Sequence, residues 1–196
     1  MKIVIVGCGR VGSILADSFD RAGHEVVVID TSTQAFDRLP GSFRGTAVRG
    51  DGTDEDTLRR AGAVGADLFM AMTEGDNRNV MTAQLATEEL GAKQVIAKIN
   101  DPLRARAYAD LGLATLCRTN LMAQAVSDFL GLGLTFGPGL SAPTGQHPGG
   151  DHHLGDVPEA AGPDATADLP VSTGAIAPPS NGSISTPLAS TTAREG

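Results

Sequence analysis

A glycine-rich motif follows an apolar run close to the first residue of the sequence. The run Lys2–Val6 leads directly into Gly7, Gly9 and Gly12, which form the pattern G-x-G-x-x-G. Between a strand and a helix, the first glycine allows a tight turn, the second lets the backbone approach a pyrophosphate, and the third lets helix and strand pack closely. The helix N-terminus then presents N–H groups to the phosphates. The motif therefore predicts a strand, a turn and a helix that together can form an anion-binding unit, and the rest of the chain has to support this.

Short apolar runs alternate with helical patterns as far as about residue 130. The runs are Lys2–Val6, Glu25–Ile29, Gly45–Val48, Asp67–Ala71, Gln94–Ile99 and Leu113–Cys117. They are rich in Val, Ile, Leu and Ala, as expected for strands covered on both faces, and the alternation is typical of βαβ units. We predict an α/β fold over residues 1–130: a Rossmann-type, doubly wound, parallel six-stranded sheet whose last helix runs from about Leu121 to Leu130.

The composition changes at residue 131. Residues 131–196 are rich in Gly, Pro, Ser, Thr and Ala, have Phe136 as their single aromatic residue, and carry 1 Lys/Arg against 6 Asp/Glu. So few large apolar groups cannot offset the conformational entropy of the chain by burial. We therefore predict a nucleotide-binding domain over residues 1–130 and a disordered, acidic tail over residues 131–196.

Charge and hydropathy exclude several classes of protein. The formal net charge is −8 at pH 7, whereas general nucleic-acid binding needs a basic face. We see no signal peptide, and no apolar run approaches the roughly 20 residues that span a bilayer. Cys8 and Cys117 lack the spacing of a metal or redox site, and we interpret them as buried free thiols. We expect a cytoplasmic protein without metal, nucleic-acid binding or direct membrane insertion.

The second predicted strand is followed by an acid that completes the glycine motif. Asp30 comes 18 residues after Gly12. A carboxylate there accepts hydrogen bonds from ribose hydroxyls and repels a 2′-phosphate, which favours NAD or an adenosine nucleotide over NADP. The alternative is that Asp30 caps a helix or is a surface acid.

Further candidates lie at the ends of the other strands. Arg10 and Val11 fill the two variable positions before Gly12, and Arg10 can reach phosphates as a bidentate cation or be an exposed residue at a helix start. Asp51 follows the third strand, where it meets the adenine end of a ligand or forms the turn Gly-Asp-Gly. Thr73 and Asn79 flank the end of the fourth strand, near the ligand's far half. Asn79 can equally begin a helix.

The sequence contains no recognisable set of catalytic residues beside these candidate binding residues. Tyr108 is followed four residues later by Gly112, where a short-chain dehydrogenase needs lysine. His24, the one histidine of residues 1–130, lies in the turn before the second strand. We therefore predict a binding protein and not an enzyme. An NAD-dependent oxidoreductase acting on a small substrate is the alternative, and a scaffold that has lost nucleotide binding is a third possibility.

Five sequence blocks in a fixed order carry a more specific resemblance. They read IVGCGRVG, VVVID, GDGTDEDTLRRAG, AMTEGDNRNVMTAQLA and VIAKINDP. Together they resemble the regulatory domain of potassium transporters and channels, the RCK-N or TrkA-N domain of the TrkA/KtrA family, over residues 1–130 and none of the tail. The resemblance implies a cytosolic regulatory subunit of a potassium uptake transporter or channel. Such a subunit binds NAD(H) or ATP/ADP and gates a membrane partner by a ligand-dependent conformational change.

The resemblance also bears on Lys98 and on assembly. Lys98 ends the fifth strand, where the family pattern usually has a phosphate-facing arginine; lysine keeps the charge but loses the bidentate fork.

Family members typically continue into a second small domain, RCK-C, which is not recognisable here. The expected assembly is therefore a homodimer or a complex with a paralogous RCK protein, held at the inner face of the membrane by the transporter subunit.

Overall fold

The structure is a computed structural model that describes residues 1–142. Within this part, strands and helices alternate along the chain. The strands are β1 (Lys2–Val6), β2 (Glu25–Asp30), β3 (Thr46–Arg49), β4 (Leu68–Ala71), β5 (Gln94–Lys98), β6 (Ala114–Leu116) and β7 (Leu140–Ser141). The helices are α1 (Arg10–Arg21), a 3-10 helix (Thr33–Arg38), α2 (Glu55–Arg60), α3 (Asp76–Glu88), α4 (Pro102–Asp110) and α5 (Arg118–Leu130).

The strands form one sheet in the order β3-β2-β1-β4-β5-β6-β7. The first six strands are parallel, and β1 pairs with β2 on one side and β4 on the other. The strand order therefore reverses at β1, and a crevice opens there at the carboxyl ends of β1 and β4. In open α/β sheets this is where ligands bind.

Both faces of the sheet are covered, as the continuous apolar runs predict. Val4 and Val6 of β1 pack into a cluster with Leu58 of α2, whereas Ile3 and Ile5 pack on the other face in a cluster that includes Ala16 of α1. Successive side chains of a strand point to opposite faces, so an apolar residue at every position requires helices on both sides. The Rossmann-type fold class is confirmed.

Capping residues determine where the shorter helices begin. The Asp54 carboxylate accepts from the Thr57 N–H at the start of α2, and the Asp101 carboxylate accepts from the Arg104 N–H at the start of α4. Each carboxylate pairs a backbone N–H that the helix itself leaves free and complements the helix dipole. Among residues 1–142, no helix is both long and apolar enough to cross a membrane.

The prediction of six strands is corrected by a seventh, which lies in the stretch predicted to be disordered. β7 is antiparallel to β6, with Leu140 opposite Leu116, and the Cys117 N–H donates to the Gly139 carbonyl at 2.6 Å. The Ser127 hydroxyl also bonds the backbone of Leu134 at 3.1 Å. Residues 131–142 are thus ordered by backbone pairing at the sheet edge, which a criterion based on apolar burial does not detect. The predicted disorder of residues 143–196 lies outside the described residues.

Candidate functional site

The glycine turn between β1 and α1 forms the floor of the crevice. Gly7 has a φ of 106°, which favours glycine, and a Cβ there would lie 2.9 Å from the Met72 carbonyl carbon. A Cβ on Gly12 would lie 2.0 Å from the Gly7 carbonyl oxygen, whereas a Cβ on Gly9 would meet nothing within 4 Å. Gly7 and Gly12 are therefore required by close contacts within the protein, and Gly9 opens onto the crevice.

The start of α1 faces this crevice without a side-chain cap. Gly9 is the cap residue and offers no side-chain hydrogen bond, and the first turn contains no acidic residue. The first N–H groups of a helix have no partner within the helix, and together with the dipole they attract an anion. Arg10 and Val11, both exposed, belong to this first turn.

Two adjoining cavities lie above the turn, and we name them by their charged residues. The acidic cavity, of about 230 Å³, is lined by Gly7, Gly9, Asp30, Asp51, Thr73, Glu74 and Arg78, among others. The basic cavity, of about 610 Å³, is lined by Gly9, Arg10, Val11, Met72, Glu74, Lys98, Arg118, Thr119 and Met122. Gly9, Met72 and Glu74 line both cavities, so one extended ligand can reach from the first into the second.

Asp30 closes the end of β2 and is held by backbone donors. Its Oδ2 atom accepts from the Cys8 N–H at 2.8 Å, and its Oδ1 atom accepts from the Ser32 N–H at 2.9 Å. A carboxylate offers about four lone pairs, so two remain for a ligand in the acidic cavity. The carboxylate is therefore fixed in place and still has capacity to accept from vicinal hydroxyls.

Asp51 lines the acidic cavity and also forms a turn. Its Oδ1 atom accepts from the Thr53 N–H at 3.0 Å and from the Thr53 hydroxyl at 2.8 Å, which is the geometry of an Asx turn. These two hydrogen bonds, with a smaller effect from the Arg78 charge, hold the pKa of the Asp51 carboxyl below its ordinary value. Asp51 is thus a turn residue whose ionised carboxylate also lines the cavity.

Thr73 and Asn79 are brought together, but at different depths. Thr73 lines the acidic cavity, whereas Asn79 is 0% exposed. The Asn79 Oδ1 atom accepts from the Thr73 N–H at 2.9 Å, and its Nδ2 atom donates to the carbonyls of Thr73 at 2.9 Å and Lys98 at 2.8 Å. Asn79 therefore ties the end of β4 to the end of β5 from below, and its side chain lines neither cavity.

The basic cavity is lined by three cationic side chains and one carboxylate. Lys98 is 3% exposed, and its Nζ atom lies 3.2 Å from Oε1 of Glu74. An Nη1 atom of Arg118 lies 4.0 Å from Oε2 of the same glutamate, and Arg10 lines the cavity from the start of α1. Most of the predicted cofactor-binding residues therefore line one of two compartments: Asp30, Asp51 and Thr73 line the acidic one, and Arg10, Val11 and Lys98 the basic one. Gly12 and Asn79 line neither.

The sequence did not single out Glu74, Arg78 and Arg118 as site residues. Arg118 begins α5 two residues after the end of β6, close to the carboxyl edge of the sheet, so the rule that selected Asp30 was available for it. Glu74 lies in the turn between β4 and α3, and Arg78 lies in the first turn of α3. The position of these two in the sequence resembles that of an ordinary loop or helix residue, and their charges acquire meaning only through their partners across the cavities.

The cysteine inside the glycine motif is buried and protonated. Cys8 is a free, buried thiol, as is Cys117, which confirms the sequence interpretation. Burial raises the pKa of the Cys8 thiol, and the Asp30 charge raises it further. A neutral buried thiol is a poor nucleophile. Within residues 1–142 no group of three or more His, Cys, Asp or Glu side chains is arranged to hold a metal ion.

The fold and the crevice define a class of protein: a Rossmann-type domain with a dinucleotide-type glycine turn and an acid at the end of its second strand. The family model of the TrkA-N domain matches residues 3–119, and the chain belongs to this family. The family suggested by the five sequence blocks is thereby confirmed.

A curated relative and two solved structures are similar to the chain. The Trk system potassium uptake protein TrkA of Streptomyces coelicolor is 49% identical over 116 residues, which cover 59% of this chain and 52% of the relative. The TrkA-N domain of the inner membrane protein ybaL from Escherichia coli has a TM-score of 0.59 at 21% identity, covering 66% of this chain and 96% of that one. The Kef C-terminal domain of Shewanella denitrificans in its AMP-bound form has a TM-score of 0.54 at 22% identity, covering 67% and 82%.

These comparisons differ in what they establish. The chain spans about half the length of three curated relatives that it matches, the Streptomyces coelicolor protein among them. The two structures are less than 25% identical to it and support the fold alone.

Proposed function

We propose that the chain is a cytoplasmic regulatory subunit of a potassium uptake transporter or channel, which binds NAD(H) or ATP/ADP in the crevice. The 49% identity to a Trk system potassium uptake protein supports the potassium-transport role. A domain of the same fold is known in an AMP-bound form, which motivates the choice of an adenosine ligand. The protein reaches the inner face of the membrane through its transporter partner, as a homodimer or together with a paralogous RCK protein.

The observation that carries the proposal is the position of Asp30. Its carboxylate is fixed by the Cys8 and Ser32 N–H groups at the mouth of the glycine turn, and it retains lone pairs for the two hydroxyls of a ribose. A ribose held there places the phosphates of the ligand over Gly9 and the uncapped start of α1. This is the side of the crevice on which the basic cavity begins.

The proposal is for binding and not for catalysis. The described residues that line the two cavities include no histidine, cysteine or tyrosine. Ligand binding changes the activity of the transporter only if the ligand prefers one conformation of the subunit, because equal affinity for two states shifts nothing.

Replacing Asp30 by asparagine tests the nucleotide part of the proposal. We expect isothermal titration calorimetry to detect binding of at least one of NAD, NADH, ADP and ATP, and we expect Asp30→Asn to weaken it about tenfold or more, because hydrogen bonds to a charged acceptor are lost. Asp110→Asn, at an exposed acid that ends α4, is the matched control and should bind like the parent. No binding of any of the four ligands, or equal affinities of both variants, would contradict the proposal.

Potassium transport is tested in the organism itself. Deleting the gene is expected to slow rubidium influx at low external potassium, and a wild-type copy should restore it. A copy carrying Asp30→Asn should restore less, because the ligand no longer shifts the conformational equilibrium. Unchanged influx after deletion would contradict the role in potassium uptake.

A further inference from the structure

We propose that Glu74 is an internal anion of the basic cavity, which pairs with Lys98 and Arg118 and is displaced by the distal phosphoryl groups of the ligand. The inference rests on the proposed nucleotide binding and deepens it, because it assigns the recognition of phosphate charge to a second compartment. It also identifies Glu74 as the residue that sets how strongly that charge is favoured.

Lys98 faces the basic cavity from the end of β5. Its side chain is almost completely buried, and an ammonium group has three donors to satisfy. Within residues 1–142, the hydrogen bond that the structure gives the Lys98 ammonium goes to Glu74 at 3.2 Å. A buried charge is costly unless it is paired and hydrogen-bonded. One carboxylate oxygen leaves part of this donor capacity unused, and the cation faces a cavity and not the apolar core.

The Glu74 side chain is easily moved, because most of it lies in solvent. Its side chain is 79% exposed, although both of its cationic partners are less exposed. It lies in the short turn between β4 and α3. Because the glutamate end of both ion pairs is exposed, water solvates a released Glu74 carboxylate well. A more highly charged anion can therefore take its place beside Lys98 and Arg118 without disturbing the fold.

Among the described residues, positive side chains outnumber negative ones on the wall of the basic cavity. Arg10, Lys98 and Arg118 line the basic cavity, and Glu74 is the acidic side chain on its wall among the described residues. Two positive charges remain uncompensated there. Phosphoryl groups combine multiple negative charge with several acceptor oxygens, and the forked guanidinium groups of Arg10 and Arg118 match this geometry.

The acidic and basic cavities share part of their walls. Gly9 and Glu74 line both of them, so the phosphates of a nucleotide whose ribose is at Asp30 extend past Gly9 toward Glu74. A nucleoside without phosphates fills the acidic cavity and leaves the pairing of Glu74 with Lys98 intact. The ligand class favoured at the basic end is therefore an adenosine nucleotide with two or more phosphates.

The test compares ligands that differ in phosphate number on a variant that lacks the internal anion. Glu74→Gln is expected to tighten ATP binding about fivefold, the scale of an exposed ion pair, and to change adenosine binding by a smaller factor, because adenosine has no phosphate to take the place of the carboxylate beside Lys98. Arg118→Gln is expected to weaken ATP binding and also to change adenosine binding by a smaller factor. Glu88→Gln in α3 and Arg106→Gln in α4, both at exposed positions, make the same changes of charge elsewhere and should match the parent.

Inorganic tripolyphosphate separates this inference from the proposed function, since it has neither ribose nor base. If Glu74→Gln binds tripolyphosphate more tightly than the parent while no adenosine compound binds either protein, the anion cavity stands and the proposed nucleotide site fails. If ATP binds the parent, and binds Glu74→Gln with the same affinity or more weakly, the role of Glu74 is overturned and the nucleotide site stands. Thermal unfolding of each variant confirms that it is folded before titration.

Discussion

Gly12→Ala is expected to lower the thermal unfolding midpoint by about 10 °C or more. The added Cβ would lie 2.0 Å from the carbonyl oxygen of Gly7, which is backbone and is fixed by the turn. Relief requires α1 to move away from β1, so the cost is at the upper end for overpacking, about 3 kcal/mol. Small domains have only about 5–15 kcal/mol of stability in total.

Gly9→Ala is the matched comparison for this prediction. A Cβ on Gly9 meets nothing within 4 Å, and its φ of −76° suits any residue. The midpoint should therefore stay close to that of the parent, while the methyl group projects into the space above the turn and weakens nucleotide binding. Equal midpoints for Gly12→Ala and Gly9→Ala would show that the close approach of α1 to the turn is wrong.

Asn79→Ala is expected to lower the free energy of unfolding by about 3 kcal/mol, since each buried group left without a partner costs about 1–3 kcal/mol. Its side chain bonds the N–H and carbonyl of Thr73 and the carbonyl of Lys98. It also accepts from the Thr73 hydroxyl at 2.6 Å. Alanine leaves all of these groups without this partner at the ends of two strands.

Urea denaturation measures the effect of Asn79→Ala, and Gln84→Ala provides the control. Gln84 is an exposed amide on the same helix, α3, so its truncation should change the midpoint little. We also expect Asn79→Ala to weaken ATP binding in the fraction that remains folded, because Thr73 and Lys98 lose their common support. Similar midpoints for the two variants would refute a structural role of Asn79.

The sequence was sufficient to predict the parts of the fold that local pattern determines. The six parallel strands follow from apolar runs, and the roles of Gly7 and Gly12 follow from the spacing of the motif, because sterics at a strand–turn–helix junction leave few alternatives. The compartment of Asp30 was also predictable, since the carboxyl ends of adjacent parallel strands meet at one edge. That the cofactor-binding residues named from the sequence bind a nucleotide stays a prediction.

Features that depend on distant partners were not predictable from pattern. β7 has two residues, too few for a periodic signal, and it exists because β6 presents unpaired backbone groups at the sheet edge. The partnership of Glu74 with Lys98 joins residues 24 positions apart. Neither residue alone indicates it, because an exposed glutamate in a turn and a lysine at a strand end are common.

The hydrogen bond between Asp30 and the Cys8 N–H has a consequence for signalling. It ties the glycine turn to the end of β2 within the protein itself, so the proposed ribose end of the crevice would be preorganised and little ordering cost would fall on association there. A rigid end transmits little, since it has nearly the same form before and after binding. Any difference in affinity between two conformations then arises at the other end, where the exposed carboxylate of Glu74 can exchange its cationic partners for water. In the proposed function, one end of the crevice would therefore hold the ligand, and the opposite end would register which ligand it is.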